Sequence, residues 1–477
     1  MSDGDVGAAV LVTVDSLRAD AAFDADVAAG SAGAVSSLAS RGTTFENAFA
    51  HGNWTPFSFP SLLGSRHVFE DGGDIGVGAG PTLAETLSAA GVATAGFNAA
   101  NGFLTGHWDY DRGFDRFRSF TADTDGSTYS RYLSAHPTVQ AWLQLATARA
   151  RRVGRRLRGR DHDRLPNTSR MADAVDGAVE FVESASGPFF LWVHFMDAHT
   201  PYVPDPRYVR AVTDGEFGVL RSLRAHVRAG LGRGVEESTL ADLRALYRAA
   251  TAQVDDGVGR VLDALERRGL RDETMVVLAG DHGEEFQEHG HLAHYPKLYD
   301  ELVHVPLVVD HPDGAAGRVT GAVGLDAVAP TVCAAMGAPT GAFRGESLLE
   351  SVLDPSARVA DGPVFSTAVR GESVTQQPIP RHRDDGELLV SGRTSRYAYV
   401  YHTDSGRREL YDRRRDPTEQ RNVWESRGGD PGPTRLAAAT ERYATELVAG
   451  DESGDGAAGS DDPPAAVSDR LEALGYR

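Results

Sequence analysis

The tetrapeptide Asp281-His282-Gly283-Glu284 sets a carboxylate and an imidazole side by side, directly after the apolar run 274–279. Those two side chains are ligands for a hard or borderline divalent cation. Asp15 holds the same position after a second apolar run, residues 8–14, and can complete the set. Histidine is concentrated downstream: His282, His289, His291 and His294 fall within thirteen residues. Asp197 and His199 follow a third run, residues 189–195, and with His294 they offer a possible second cation site. A lone Asp–His pair reads first as a polar surface loop. Its recurrence after separate apolar runs is what favours a metal site.

Residues 53–63 carry the hydroxyls. Thr55, Ser58 and Ser61 recur every third residue. That spacing can place them on one face at a helix N-terminus, where backbone N–H groups and the dipole favour an anion. A hydroxyl beside a divalent cation is acidified and becomes an oxygen nucleophile. The same pattern also fits an N-cap with incidental serines, and the segment alone does not decide between the two.

These groups need rigid elements behind them. The runs 8–14, 189–195, 274–279 and 305–309 are continuous and rich in β-branched and aromatic residues, as in strands buried on both faces. Amphipathic stretches at 82–90, 169–184 and 239–268 lie between them. The alternation predicts an α/β fold, a large mostly parallel sheet sandwiched by helices. Ligands in such sheets bind beyond the carboxyl ends of the strands, which is where Asp15, Asp197, His199, Asp281 and His282 fall. After about residue 360, aromatic runs at 397–401 and 408–411 around Gly406 predict a hairpin and a small antiparallel unit. The expected organisation is a catalytic domain over 1–365 with an arginine-rich insertion at 149–168, an antiparallel subdomain over 366–430, and a helix, flexible linker and short terminal helix over 431–477.

Composition narrows the partners. The chain has 477 residues and a formal net charge of −20, so its own field repels nucleic acid and anionic membranes. Membrane contact through the arginine-rich insertion is the one exception that pattern allows; a solvated charge run is the plainer reading. Cys333 is the single cysteine, which excludes an intrachain disulfide and a multi-cysteine zinc site. Lys297 is the only lysine, and the acid excess fits a halophilic-type protein as well as biased codon usage. No apolar run reaches about 18 residues, and the acidic N-terminus is unlike a secretory signal, so a cytoplasmic location is expected.

Taken in order, the motifs resemble the sulfatase branch of the alkaline phosphatase superfamily. Val10 to Asp20 is similar to its opening strand and first metal carboxylate, and Phe45 to Leu62 to its nucleophile segment. Thr82 to Leu87 and Arg112 to Phe117 match linking motifs, and His194 to Tyr202 the substrate-anion histidine motif. Gly280 to Glu284, with His289-Gly290 and Leu298 to Pro306, matches the second metal motif, and Glu409 to Val423 the C-terminal signature. The chain also departs from the family. Sulfatases carry Cys or Ser as the nucleophile, oxidised to formylglycine; aligned through Trp54 and the serines, this position is Thr55, and no formylglycine is expected. A second register would use Ser58. Thr55, and Asp281-His282 in place of Asp-Asn, lean toward the superfamily's phosphotransferases and phosphodiesterases. Lys297 lies near a family lysine position but is shifted from it.

The resemblance implies a metal-dependent hydrolase of sulfate or phosphate esters acting on a small molecule or glycan. One divalent cation (Ca²⁺, Mg²⁺ or Mn²⁺, with Zn²⁺ possible) would sit on Asp15, Thr55, Asp281 and His282. Thr55 would attack, while His199 and His294 stabilise oxygens and protonate the leaving group, or join Asp197 around a second cation. The alternatives are a transferase or phosphodiesterase acting on glycan or lipid, and a catalytically inactive binding member.

Overall fold

Runs of β-branched and aromatic residues can bury both faces of a strand, and this chain uses them to build the centre of a sheet. The structure, a computed structural model, describes residues 6–70, 75–120, 170–213, 221, 224–226, 235–359, 362–370, 380 and 382–450. The arginine-rich insertion, the expected linker and the expected terminal helix lie outside the described residues.

The strands are β1 (Ala8–Val14), β2 (Thr43–Phe49), β3 (Ala93–Asn98), β4 (Arg116–Ser119), β5 (Phe189–Phe195), β6 (Thr274–Gly280), β7 (Glu285–Phe286), β8 (Leu292–Ala293), β9 (Leu307–Asp310), β10 (Gly317–Gly324), β11 (Val364–Arg370), β12 (Glu387–Arg393), β13 (Tyr397–His402) and β14 (Arg408–Asp412). The longer helices are α1 (Ala34–Arg41), α2 (Thr55–Gly64), α3 (Leu83–Ala89), α4 (Met171–Ser184), α5 (Glu237–Arg267), α6 (Val328–Ala335) and α7 (Pro431–Gly450).

Eight strands form the main sheet in the order β10-β2-β9-β6-β1-β5-β3-β4. All neighbours are parallel except β9, which runs antiparallel to both β6 and β2. The chain returns from β6 through the β7–β8 hairpin and a one-turn helix, without a crossover helix that would restore direction. Strand period divides the core in two. Ala8, Val10, Val12 and Val14 of β1 pack on one face with α1, α4 and α5. Ala9 and Leu11 face the other side with Leu62, Leu63, Leu83 and Val332 of α2, α3 and α6. The predicted helices are found nearly where expected: α3 opens with a capping box between Thr82 and Glu85. Among the described residues no helix is long and apolar enough to cross a membrane.

The second sheet is antiparallel, β11-β12-β13-β14, and β13–β14 is the hairpin expected around Gly406, whose φ of 65° suits the turn. Helix α7 lies on this sheet so closely that a Cβ at Gly392 would meet the Thr440 hydroxyl at 2.1 Å.

A buried ionic network ties this unit to the loop that follows the metal motif. Arg393 of β12 donates to Asp300 Oδ1 (2.5 Å) and Glu419 Oε1 (2.6 Å) and also bonds the Leu298 carbonyl. Arg413 donates to Asp300 Oδ2 (2.8 Å) and Asn47 Oδ1 (2.8 Å). Both Arg393 and Glu419 are almost wholly buried. Breaking one partner of such a network leaves a charge unpaired in the interior. Arg393→Ala is therefore expected to cost about 3–5 kcal/mol of stability, read from the urea midpoint of unfolding.

Candidate metal and nucleophile centre

Parallel register does most of the positioning. Val14 pairs with Gly280 across β1 and β6, so Asp15 and Asp281 leave the sheet side by side. Main-chain bonding continues past the strand ends: Asp281 N–H donates to Val14 O (3.2 Å) and Asp15 N–H to Phe195 O (2.8 Å). Both carboxylates are fully buried. The glycine of the motif is a packing requirement, because a Cβ at Gly283 would lie 2.0 Å from the Glu301 carbonyl oxygen. Its absence lets the N–H groups of Gly283 and Glu284 bond Leu302 O and Glu301 O at 2.8 and 2.9 Å.

Helix α2 points its N-terminus at the pair. Trp54 caps it with extended backbone and no side-chain bond to the helix's own N–H groups, and Thr55 is the first helical residue. The Trp54 indole and the Asn53 amide both donate to the His294 carbonyl, which pins the helix start against the histidine-rich loop. Thr55 Oγ1 lies 3.0 Å from Asp281 Oδ2, 3.3 Å from Asp15 Oδ2 and 3.5 Å from His282 Nε2. Ser58 and Ser61 do not share this view. Ser58 donates to the Asp281 carbonyl (2.6 Å) and Ser61 to the Ser58 carbonyl (2.6 Å). Of the two registers open from sequence, the helix brings the Thr55 hydroxyl to the carboxylates.

The donor set fits a divalent cation. His282 Nδ1 faces the Gly283 carbonyl at 2.9 Å, so the proton of a neutral ring belongs there and Nε2 is a bare acceptor. That Nε2 stands 3.5 Å from Asp15 Oδ1 and 3.7 Å from Asp281 Oδ2. Thr55 has one hydroxyl proton for three acceptors, so lone pairs converge with too few protons between them. Asp15, Asp281 and His282 each bring a ligand atom within 4.8 Å of the others. Burial and the neighbouring Asp15 charge push Asp281 well above the usual carboxylate range. Burial would lift Asp15 too, but His199, His194 and His282 hold it well below that range.

His282, His294 and His199 form a chain of rings, with centroids 5.3 and 5.0 Å apart. Burial lowers His199 to about 4; burial together with the His282 charge lowers His294 to about 3, so both are neutral imidazoles near pH 7. Glu284, given no role from sequence, accepts from the Tyr202 hydroxyl, lies 3.5 Å from His294 Nδ1, and is raised by burial to about 7.

The second ligand set anticipated from sequence does not come together as three. Among the described residues, no three-ligand group includes Asp197, whose carboxylate accepts from Gln253 of α5. Lys297 bonds Glu285 and the His289 carbonyl. One residue was missed. Asn101, just past β3, donates to Asp15 Oδ2 (2.8 Å) and Thr55 Oγ1 (3.3 Å). The signal that could have found it is the polar pair Asn98 and Asn101 after a strand end.

Known proteins share this arrangement of elements. A family model described as Sulfatase matches residues 8–338. The chain is 26% identical over 314 residues to the multifunctional alkaline phosphatase superfamily protein PehA of Trinickia caryophylli, covering 57% of this chain and 58% of that protein. It spans about half the length of the curated relatives it matches. Among solved structures, BT4656 in complex with its substrate D-glucosamine-2-N,6-O-disulfate superimposes with a TM-score of 0.69 at 16% identity, covering 94% of this chain and 100% of that one. The phosphonate monoester hydrolase of Agrobacterium radiobacter does so with a TM-score of 0.64 at 20% identity, covering 93% and 96%. These two share the fold. Because the matched segment takes in the whole main sheet and every residue of the Asp15–Asp281–His282 cluster, the chain belongs to the sulfatase family.

Proposed function

We propose that the chain is a divalent-cation-dependent hydrolase that cleaves sulfate or phosphate esters through the Thr55 hydroxyl. The observation that carries this reading is the Thr55 oxygen at the start of α2, within 3.5 Å of two buried carboxylates and a bare imidazole nitrogen. Asp15, Asp281 and His282 would hold the cation, which supplies positive charge that neutralises the carboxylates, favours the ionised form of a nearby hydroxyl and attracts the oxygens of the ester.

The chain's own residues then divide the work. Thr55 Oγ attacks sulfur or phosphorus in line with the leaving oxygen; the new ester bond forms as the bond to the leaving alcohol breaks. His199 and His294 offer N–H groups to the equatorial oxygens, and one of them relays to the departing oxygen the proton that the Thr55 hydroxyl gives up. Asn101 donates to Asp15 and Thr55 and so orients both. Water repeats the in-line displacement and returns the hydroxyl to Thr55. The names of the relatives and neighbours support a small-molecule or glycan ester as substrate: a disulfated glucosamine for BT4656, a phosphonate monoester hydrolase in Agrobacterium radiobacter.

A second reading is a transferase, favoured by the threonine itself. Threonine cannot become formylglycine, so its covalent ester has no aldehyde-hydrate exit and must be displaced. An acceptor alcohol can do that as well as water.

Thr55→Ala is expected to lower turnover by on the order of 10³-fold or more while metal content stays unchanged. Ser58→Ala, losing one hydrogen bond of about 1 kcal/mol, should remain within about fivefold of the parent. The reverse order of severity would move the nucleophile to Ser58. Asn101→Ala is expected to cost about 10–100-fold in metal affinity or activity, as loss of an outer partner does. A panel of aryl sulfates, phosphate monoesters and phosphodiesters, assayed after chelation and re-addition of Mg²⁺, Mn²⁺, Ca²⁺ or Zn²⁺ with and without an acceptor alcohol, separates the two readings. No turnover with any of them would overturn both.

A further inference from the structure

The device that brings Asp15 and Asp281 together is repeated on another pair of parallel strands. Gly324 of β10 pairs with Phe49 of β2. Two residues beyond each strand end stand Asp326 and His51, and His51 Nε2 lies 3.1 Å from Asp326 Oδ1. His67, just past the C-terminus of α2, stacks on His51 with ring centroids 3.9 Å apart and brings its Nε2 to 3.4 Å from Asp326 Oδ2. The three donors all lie within 4.8 Å of one another. None of these residues takes part in the centre at Thr55.

We propose that His51, His67 and Asp326 form a second metal site, a structural site for zinc or a similar borderline divalent ion. Four observations converge on it. First, His51 Nδ1 faces the Phe365 carbonyl at 2.7 Å, so the proton of a neutral ring sits on that side and Nε2 presents a lone pair toward the carboxylate. The Asp326 N–H donates to this Nε2 at 3.3 Å, a long bond that an ion on the nitrogen would replace. Second, His67 Nδ1 also has an outer partner, the Tyr443 hydroxyl at 2.7 Å, whose oxygen can accept the ring N–H. Metal-bound histidines almost always give their other ring N–H to such a group. Third, both edges to the carboxylate fit: zinc–ligand distances of about 2.0–2.1 Å in a tetrahedron imply ligand–ligand edges of about 3.4 Å, against 3.1 and 3.4 Å here, and the third edge is within 4.8 Å. Fourth, a Cβ at Gly324 would lie 2.4 Å from His51 Nε2 and 2.5 Å from Asp326 Oδ1, so the glycine keeps open the space between two ligand atoms.

The backbone under the carboxylate is also fixed, since Ser65 Oγ donates to Asp326 O (2.6 Å) and accepts from Gly345 N–H (2.8 Å). The two sites differ in chemistry. Two nitrogens and a carboxylate suit zinc, whereas the carboxylate-rich centre at Thr55 also suits harder ions. His67 and Asp326 keep partial exposure, 12% and 22% of their side chains, which gives an ion a way in and leaves a corner for water. The site would clip both ends of α2, with His51 before it and His67 after it, to β11 and α7 through Phe365 and Tyr443.

The test uses the full chain loaded with Zn²⁺, passed through gel filtration and analysed by elemental mass spectrometry. Asp281→Asn, which disables the centre at Thr55, should keep one equivalent of zinc and a zinc-dependent rise in melting temperature. Added to Asp281→Asn, Asp326→Asn should remove that equivalent and the rise, with zinc affinity down by more than about 100-fold; His67→Gln, changed at a partly exposed ring and added in the same way, should do the same if the first double variant fails to fold. Cobalt in place of zinc should give a tetrahedral visible spectrum in Asp281→Asn that disappears in either double variant. Zinc retained by both double variants, or absent from Asp281→Asn, would overturn the proposal and leave a proton as the occupant of the cluster.

Discussion

Two carboxylates buried side by side are the constraint from which the rest of the centre follows. Asp15 and Asp281 are both fully buried, and the charge of Asp15 bears on Asp281. Such a pair persists only if something positive lies between or around it. The protein supplies donors: Ser16 N–H and His282 N–H to Asp281 Oδ1 at 3.1 and 2.7 Å, and the Asn101 amide to Asp15 Oδ2 at 2.8 Å. These bonds occupy some lone pairs and leave Asp281 Oδ2, Asp15 Oδ1 and His282 Nε2 turned toward each other. A centre built this way fits the charge of a cation. The arrangement holds Asp15 ionised against the penalty of burial.

The sheet makes that pairing cheap to specify. In a parallel pair, residues that leave matched strand ends emerge adjacent with no loop to order, and the positions depend only on register. Register is in turn fixed by the two apolar faces of β1, because a one-residue slip would exchange Val10 and Val12 with Ala9 and Leu11. The loop from 283 to 303 is longer and needs outside support, which comes from Arg393, Arg413 and Glu419 of the C-terminal unit around Asp300. The C-terminal signature read from sequence is therefore an anchor for the loop behind the metal motif.

What could be read from the sequence follows the same physics. Long apolar runs became β1, β5, β6 and β9, and the polar residues just past three of them point to the centre. The rule failed where a strand was too weakly apolar to be noticed. β3, with Thr94 and Gly96, hid Asn101; β10, with Gly317, Gly321 and Gly324, hid Asp326. Spacing also says nothing about direction. Asp197 and His199 both follow β5 closely, yet one turns to Gln253 of α5 and the other to His294. The three hydroxyls of residues 55–61 look equivalent as a period of three. Only the helix start distinguishes Thr55 from Ser58, whose oxygen is occupied by the Asp281 carbonyl.

Helix α2 itself is a poor helix on local grounds. Its ten residues include Pro56, Pro60 and Gly64, and Pro60 removes a main-chain donor from the interior. A helix this short would not persist in water even with better residues. Every one of its residues is buried, so packing rather than propensity holds it. Holding a helix from outside puts the Thr55 oxygen under the control of its surroundings: Trp54 and Asn53 against the 294 carbonyl at one end, and His67 against Asp326 and Tyr443 at the other. A stable, exposed helix would gain little from clamps at both ends. This one needs them, and the placement of a histidine on each side of α2, reaching for one aspartate, is the arrangement that such a need selects.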